Sequence, residues 1–370
     1  MNALSLYAGP AAREHIRRHG LQPEHIRTIP AAAGGPKGLI LGALDRYIFG
    51  SWLAQSAQPV DLVGASIGAW RMATACLRDP VAAFERLEHD YIHQHYEFRP
   101  GNKLPPPALV SAEFARSLRS FYGGREQEVL HHPRYRLHIV TSRGRHLLGR
   151  EQSLRTHLGY LGAFLTNTVR RRAMGAWLER VVFSTRLGPD ASSPCAPLPF
   201  ASHDYRTRQV ALSADNLYPA IQASCSIPFA LQAVHDIPGA PRGAYWDGGI
   251  TDYHLHLDYA GAPDAAQRPG LVLYPHFQRA VVPGWLDKAL KWRHKASPFL
   301  DNMLLLAPHP DWVRTLPHGK LPDRTDFTHY GNDLAGRVRA WSQAVRMSEQ
   351  LAEEFAQWLR HPDPQRLQAL

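Results

Sequence analysis

The chain has 370 residues, 44% hydrophobic and 20% charged, which excludes a disordered polymer and suffices for one large α/β domain. Its net charge of +10 favours anionic partners such as phospholipid surfaces or acidic substrates. Nucleic acid is not expected, because no recognition-module pattern occurs and the arginines are scattered apart from Arg170, Arg171 and Arg172.

Residues 11–19 read as a short basic helix, and 26–33 as a buried strand that runs into Gly34-Gly35-Pro36-Lys37-Gly38. A helix is expected over 39–53, a second strand over 60–64, and helices over 67–77 and 81–96. This alternation implies a parallel sheet with right-handed crossovers. A proline-rich loop follows at 100–107, then a helix at 112–121, a strand at 135–141, a mainly helical stretch at 153–178 and a strand at 181–185. Residues 187–200 are too rich in proline for regular structure and read as a surface flap. Strand 209–212, helix 218–225 and strands 271–274 and 303–306 complete the pattern. Residues 334–359 carry apolar side chains at helical spacing and predict one long amphipathic helix. The expected organisation is one domain over 1–330, with a C-terminal helical segment, 331–370, packed on it.

The three cysteines, Cys76, Cys195 and Cys225, lie far apart and match neither a disulfide framework nor a zinc site. The first ten residues lack a basic segment followed by a sustained apolar run, so no secretory signal is read. No stretch of about 18 apolar residues spans a bilayer. A cytoplasmic setting with at most peripheral membrane contact is expected.

Chemistry concentrates in a few stretches. The run Val60-Asp61-Leu62-Val63 leads into Gly64-Ala65-Ser66-Ile67-Gly68, the sequence form of a strand turning sharply into a helix with a nucleophilic serine at the apex. Gly64 and Gly68 allow strand and helix to approach closely, and the helix amides point at Ser66 Oγ. The glycine loop at 34–38 offers backbone N–H groups to an anion, while Pro36 has none to give. The spacing is not that of a Walker loop. Asp247-Gly248-Gly249 places a carboxylate at a strand end, although Asp-Gly is also an ordinary turn dipeptide. Ala223-Ser224-Cys225-Ser226-Ile227-Pro228 ends a helix in a proline turn and by itself carries no functional weight.

Together and in this order these stretches resemble the patatin-like phospholipase family over residues 26–260. The family pattern is Asp-Gly-Gly-Gly-x-Arg/Lys-Gly, then Gly-x-Ser-x-Gly, then Ala-Ser-x-x-x-Pro, then Asp-Gly-Gly/Ala. The corresponding stretches here are Ala32 to Gly38, Gly64 to Gly68, Ala223 to Pro228, and Asp247 to Gly249. Ile250 to Leu255 looks like the family's strand-closing run. The departures are Ala32 and Ala33, which stand where the family has Asp and its first Gly. The resemblance implies a three-layer α/β/α patatin-like fold with a mainly parallel sheet. It also implies a Ser66–Asp247 dyad without a histidine relay, and an acyl-lipid or phospholipid substrate. The oxyanion would be held by amides of Gly34, Gly35, Lys37 and Ile67, with Gly38, Gly64, Gly68, Gly248 and Gly249 shaping the turns. No cofactor and no metal are implied.

Other uses of the same residues remain open in the sequence. A conventional triad would recruit a late histidine, with His276, His309, His318 or His329 eligible. His254, His256 and Asp258 would share a face if they lay on a strand, although no second cluster completes a metal site. A non-catalytic lipid-binding protein, an acyltransferase or a thioesterase could use the same framework. In the stretch 160–178, Leu161, Phe164, Leu165 and Val169 share a helical face beside the Arg170 cluster, which suits a basic amphipathic helix on an anionic membrane or a lid beside the flap. Burial of that face in the core is the commoner use of such a helix.

Overall fold

A computed structural model describes residues 2–96, 105–151 and 153–370, so most of the loop expected at 100–107 lies outside the described residues. Its strands are β1 (Leu4–Ala8), β2 (Ile26–Ala31), β3 (Val60–Ala65), β4 (Tyr135–Gly144), β5 (Leu178–Ser184), β6 (Thr207–Ala211), β7 (Val234–His235), β8 (Ala244–Trp246), β9 (Leu271–Pro275), β10 (Met303–Pro308) and β11 (Leu367–Ala369). They form one sheet in the order β11-β1-β10-β9-β2-β3-β4-β5-β6, with β8 on β4 and β7 on β8. The central run from β10 through β9, β2 and β3 to β4 is parallel, and antiparallel pairs, β1 with β10 and β4 with β5, flank it. Helices cover the sheet in an α/β/α arrangement. Every residue of β3, β9 and β10 is buried, as expected of central strands covered on both faces.

The differences from the expected elements have local causes. The helix expected over 39–53 is a rod of changing pitch: a 3₁₀ turn (Gly35–Leu41), an α-turn (Gly42–Tyr47), a π-turn (Ile48–Trp52) and a final 3₁₀ turn (Leu53–Gln55). Gly50 sits in the π-turn because Val81 crosses it, and a Cβ there would lie 2.3 Å from Val81 Cγ2. The single C-terminal helix is two, Leu334–Met347 and Glu349–Arg360, broken at buried Ser348. Leu351, Phe355 and Trp358 join the main core, and β11 then pairs with β1 at the sheet edge. The run Ile250 to Leu255 does not close a strand: Gly249–Asp252 is a helical turn. Residues 187–200 are irregular, as expected, but their end is anchored by Leu198 and fully buried Phe200. No helix among the described residues is long and apolar enough to cross a membrane.

The helical turn Gly249–Asp252 is pinned by charge. Arg180, fully buried on β5, donates to Asp252 through Nε at 2.7 Å and Nη2 at 2.6 Å, and Arg171 adds a contact at 3.0 Å. Burial alone would raise the Asp252 carboxyl, but the Arg180 charge and hydrogen bonds hold it below the ordinary range. Breaking one side of such a pair leaves an uncompensated buried charge. Arg180→Met is therefore expected to cost about 3–5 kcal/mol, read as a lower midpoint in urea unfolding; an unchanged midpoint would show that Asp252 is held by other means.

Candidate active site

Strand β3 ends at Ala65, and Ser66 then adopts φ 57°, ψ −130° before the helix Ile67–Ala75 begins. A non-glycine residue in this region is strained and persists only where its surroundings over-determine it. The two flanking glycines supply the constraint. A Cβ on Gly68 would lie 1.9 Å from Ala31 O, and one on Gly64 would lie 2.4 Å from Ala69 Cα. The helix therefore starts directly against β2 and β3, with Ile67 as its first residue and its amide without an intrahelical partner.

Asp247 reaches the same place from the other direction. In the sheet register Ala65 pairs with Val140, and Trp246 pairs with Ser142. Ser66 and Asp247 thus each step off a strand beside the same short stretch of β4. Ser66 Oγ donates to Asp247 Oδ2 at 2.6 Å, and both side chains are buried. Gly249 N donates to Asp247 Oδ1 at 2.7 Å, and Ser142 Oγ donates to Asp247 O at 2.9 Å. Gly248 has no room for a side chain, since a Cβ would lie 2.1 Å from Val140 O.

The turn at 223–228 is the strut between the two, a role its sequence alone did not suggest. Ser66 N donates to Ser224 Oγ at 2.9 Å, and Ser224 Oγ donates to Val140 O at 2.7 Å. Asp247 N donates to Ser226 O at 2.9 Å, and Gly248 N to Ser224 O at 3.0 Å.

The glycine loop closes the third side. Gly35, with φ 57°, lines a cavity of about 230 Å³ together with Ser66 and Ile67. Gly34 lies under Phe277, where a Cβ would come within 2.5 Å of the ring. Gly38 packs against Ile67. Lys37 is not among the lining residues; its ammonium lies 5.3 Å from the Phe277 ring centre. Ala33, where the family has glycine, is buried, and its Cβ occupies space that Gly249 leaves free: a Cβ on Gly249 would lie 2.6 Å away. Ala33 N donates to Tyr253 O at 2.9 Å, tying the loop to the chain just after Asp247.

The cavity walls are mostly apolar, with Trp70, Phe114, Ile227, Phe229 and Leu231 among them, and Arg324 at the glycine loop. Arg324 and Lys288 come from segments with no motif. Arg324 Nε would lie 3.3 Å from a Cβ on Gly35, and both residues line a second small recess containing Asp247. Burial pushes the Asp247 carboxyl up, opposed by the Arg324 charge, the Ser66 and Gly249 hydrogen bonds, and Lys288. Burial, with Arg324 and Lys37 nearby, pushes the Lys288 ammonium down to about 8.

None of the eligible histidines lines the cavity. His276 is buried against Phe277, and burial pushes its imidazole down to about 3. His309 caps the helix Pro310–Thr315, and His318 contacts Tyr330 at 2.6 Å and packs near His329. His254, His256 and Asp258 do not lie on a strand. Val282 N donates to His254 Nδ1 at 3.0 Å, and the His256 ring bridges Val281 O and Ser297. No group of three or more His, Cys, Asp or Glu able to hold a metal occurs among the described residues.

No family model and no curated protein matches the chain. Solved structures that resemble it include VipD from Legionella pneumophila, 14% identical, at a TM-score of 0.34 and covering 95% of this chain and 70% of that one. Human GIVD cytosolic phospholipase A2 is 12% identical at a TM-score of 0.30, covering 95% of this chain and 62% of that one, less than two thirds of its length. Likeness at these scores leaves the chemistry to be argued from the site itself.

The Asp247 carboxyl titrates above its unfolded-chain value, so its ionised form is the penalised one in the folded state. The cost is present at neutral pH and fades as pH falls through the folded-state titration. Asp247→Asn, which keeps the shape, is expected to raise the melting temperature at pH 7, with the gain shrinking in acid. A lowered melting temperature that is insensitive to pH would contradict the burial account.

Proposed function

We propose that the protein is a serine acyl hydrolase that cleaves fatty-acyl esters of phospholipids or related lipids with Ser66 as nucleophile and Asp247 as its base. The observation that carries this is the 2.6 Å contact from Ser66 Oγ to Asp247 Oδ2 at the apex of a strained elbow, opening into a largely apolar cavity. An acyl chain fits such walls, and its ester carbonyl then meets the serine.

Ser66 Oγ attacks the carbonyl carbon while its proton passes to Asp247 Oδ2. The carbonyl oxygen becomes an oxyanion, held by the amides of Gly35 and Ile67, with Gly34 beside them. Collapse breaks the bond to the leaving alcohol, which takes the proton from Asp247 and leaves an acyl ester on Ser66. Water then attacks that ester, giving its proton to Asp247. The second collapse frees the fatty acid and returns the proton to Ser66 Oγ. Asp247 suits both proton transfers because burial moves its affinity for the proton towards that needed near neutral pH.

Ser66→Ala and Asp247→Asn are each expected to lower ester turnover by at least about 10³-fold, while circular dichroism stays unchanged. A fluorophosphonate should label Ser66 and no other residue, identified by mass spectrometry of the tryptic digest. Full turnover by either variant over a panel of acyl esters and thioesters would overturn the dyad.

A further inference from the structure

We infer that the exposed face of the helix Ser153–Val169, with Phe229 and Trp292 at its ends, is a docking surface for an anionic phospholipid bilayer. Leu158, Leu161, Leu165 and Val169 fall on one stripe of this helix and are 52%, 54%, 55% and 85% exposed. Phe229 is 49% exposed and Trp292 65%, so most of the large apolar side chains exposed among the described residues gather here. Single exposed leucines are ordinary, but a contiguous stripe on an otherwise polar surface marks an interaction.

The stripe is not a core face left open by poor packing. The opposite side of the helix is seated: Tyr160 and Ala163 join a buried cluster with Met174 and Trp246. Asn167, fully buried, donates to Asp287 at 2.8 Å. Arg293 ties the next segment to the end of the helix through Asn167 Oδ1 and Thr168 O, each at 3.2 Å, and so places Trp292 beside it.

Charge selects the occupant. Residues 153–178 contain no Asp or Glu, and Asp287, the acid between 285 and 297, is buried and bonded to Asn167 and Arg293. Around the stripe stand exposed Arg170, Arg172, Lys291 and Lys295. An apolar stripe rimmed by cations matches the acyl boundary and headgroup layer of an anionic leaflet. A second copy of this chain would bring the same cations against these, so self-association is disfavoured.

Phe229 links the surface to the site. It lines the Ser66 cavity and stacks on His157 of the same helix at 4.4 Å between ring centres. Among the described side chains of the helix none lines that cavity, and Phe229 is the contact between the two. On the hydrolase reading above, a lipid leaving the bilayer would pass Phe229 to reach Ser66; the docking surface itself does not depend on turnover.

Flotation of the full chain with large unilamellar vesicles tests it. Binding is expected to an equal mixture of phosphatidylcholine and phosphatidylglycerol, at least about tenfold weaker to phosphatidylcholine alone, and weaker in high salt. Leu161→Ser with Leu165→Ser should lose at least about tenfold of that binding with an unchanged melting temperature; Val169→Ser, at the most exposed position, serves if the pair does not fold. Arg170→Gln with Arg172→Gln should reduce the salt dependence. Equal vesicle binding by the leucine variant overturns the proposal. So does light scattering that shows a dimer in the wild-type chain and a monomer in the leucine variant, which would make the occupant a second copy. Absence of esterase activity would count against the hydrolase reading and leave the flotation result standing.

Discussion

The hydrogen bond from Ser66 to Asp247 joins residues 181 apart in the chain, and it exists because β4 acts as a common ruler. The end of β3 pairs with Val140 and the end of β8 with Ser142, so the residues that follow each strand meet over two positions of β4. Ser224 then bonds both to Val140 O and to the Ser66 amide, which fixes the height of the elbow above the strand. Every contact in this arrangement is a backbone or short side-chain bond with little freedom. The geometry therefore depends on sheet register, and a one-residue slip would turn each side chain to the opposite face.

Against that rigid frame, the treatment of buried carboxylates differs from place to place. Asp252 is matched by a guanidinium fork from Arg180 at 2.6–2.7 Å, which holds it below the ordinary carboxylate range. Asp247 has no ion-pair partner among the described residues; it takes hydrogen bonds from Ser66 and Gly249 and feels Arg324 and Lys288 at longer range. Pairing with a guanidinium would have stabilised the carboxylate and removed its appetite for a proton. The fold keeps it poorly compensated instead, a local cost that suits a base.

The basic surface has a comparable logic. The net charge of +10 is not spread evenly, for the stretch that carries the exposed leucines has no acid in it. The apolar stripe faces solvent because the other side of the same helix is needed to pack on Trp246, the residue just before Asp247. One helix thus supports the site from beneath and presents a distinct surface to solvent.

Much of the site was legible in the chain because its motifs encode backbone geometry that few residues tolerate. Gly64, Gly68 and Gly248 stand where a Cβ would strike main-chain atoms, and Ser66 takes a positive φ between them. Central strands were legible for a similar reason, since burial on both faces demands unbroken apolar runs such as those of β3 and β10. Features set by distant partners were not. Strands β1 and β11 are defined by the sheet edge they join, Ser348 breaks a helix whose spacing runs through it, and Ser224 matters only because Val140 and Ser66 lie on either side. Arg324 and Lys288 carry no local signal at all. The direction of the 153–169 stripe was equally undetermined, because amphipathic spacing fixes that a helix has two faces and not which of them meets the core. By itself the sequence determined the local turns and singled out Ser66 and Asp247 as the candidate pair. Which distant segments meet at those turns, and which faces remain in solvent, was decided by packing, since those contacts exist only once the sheet has assembled.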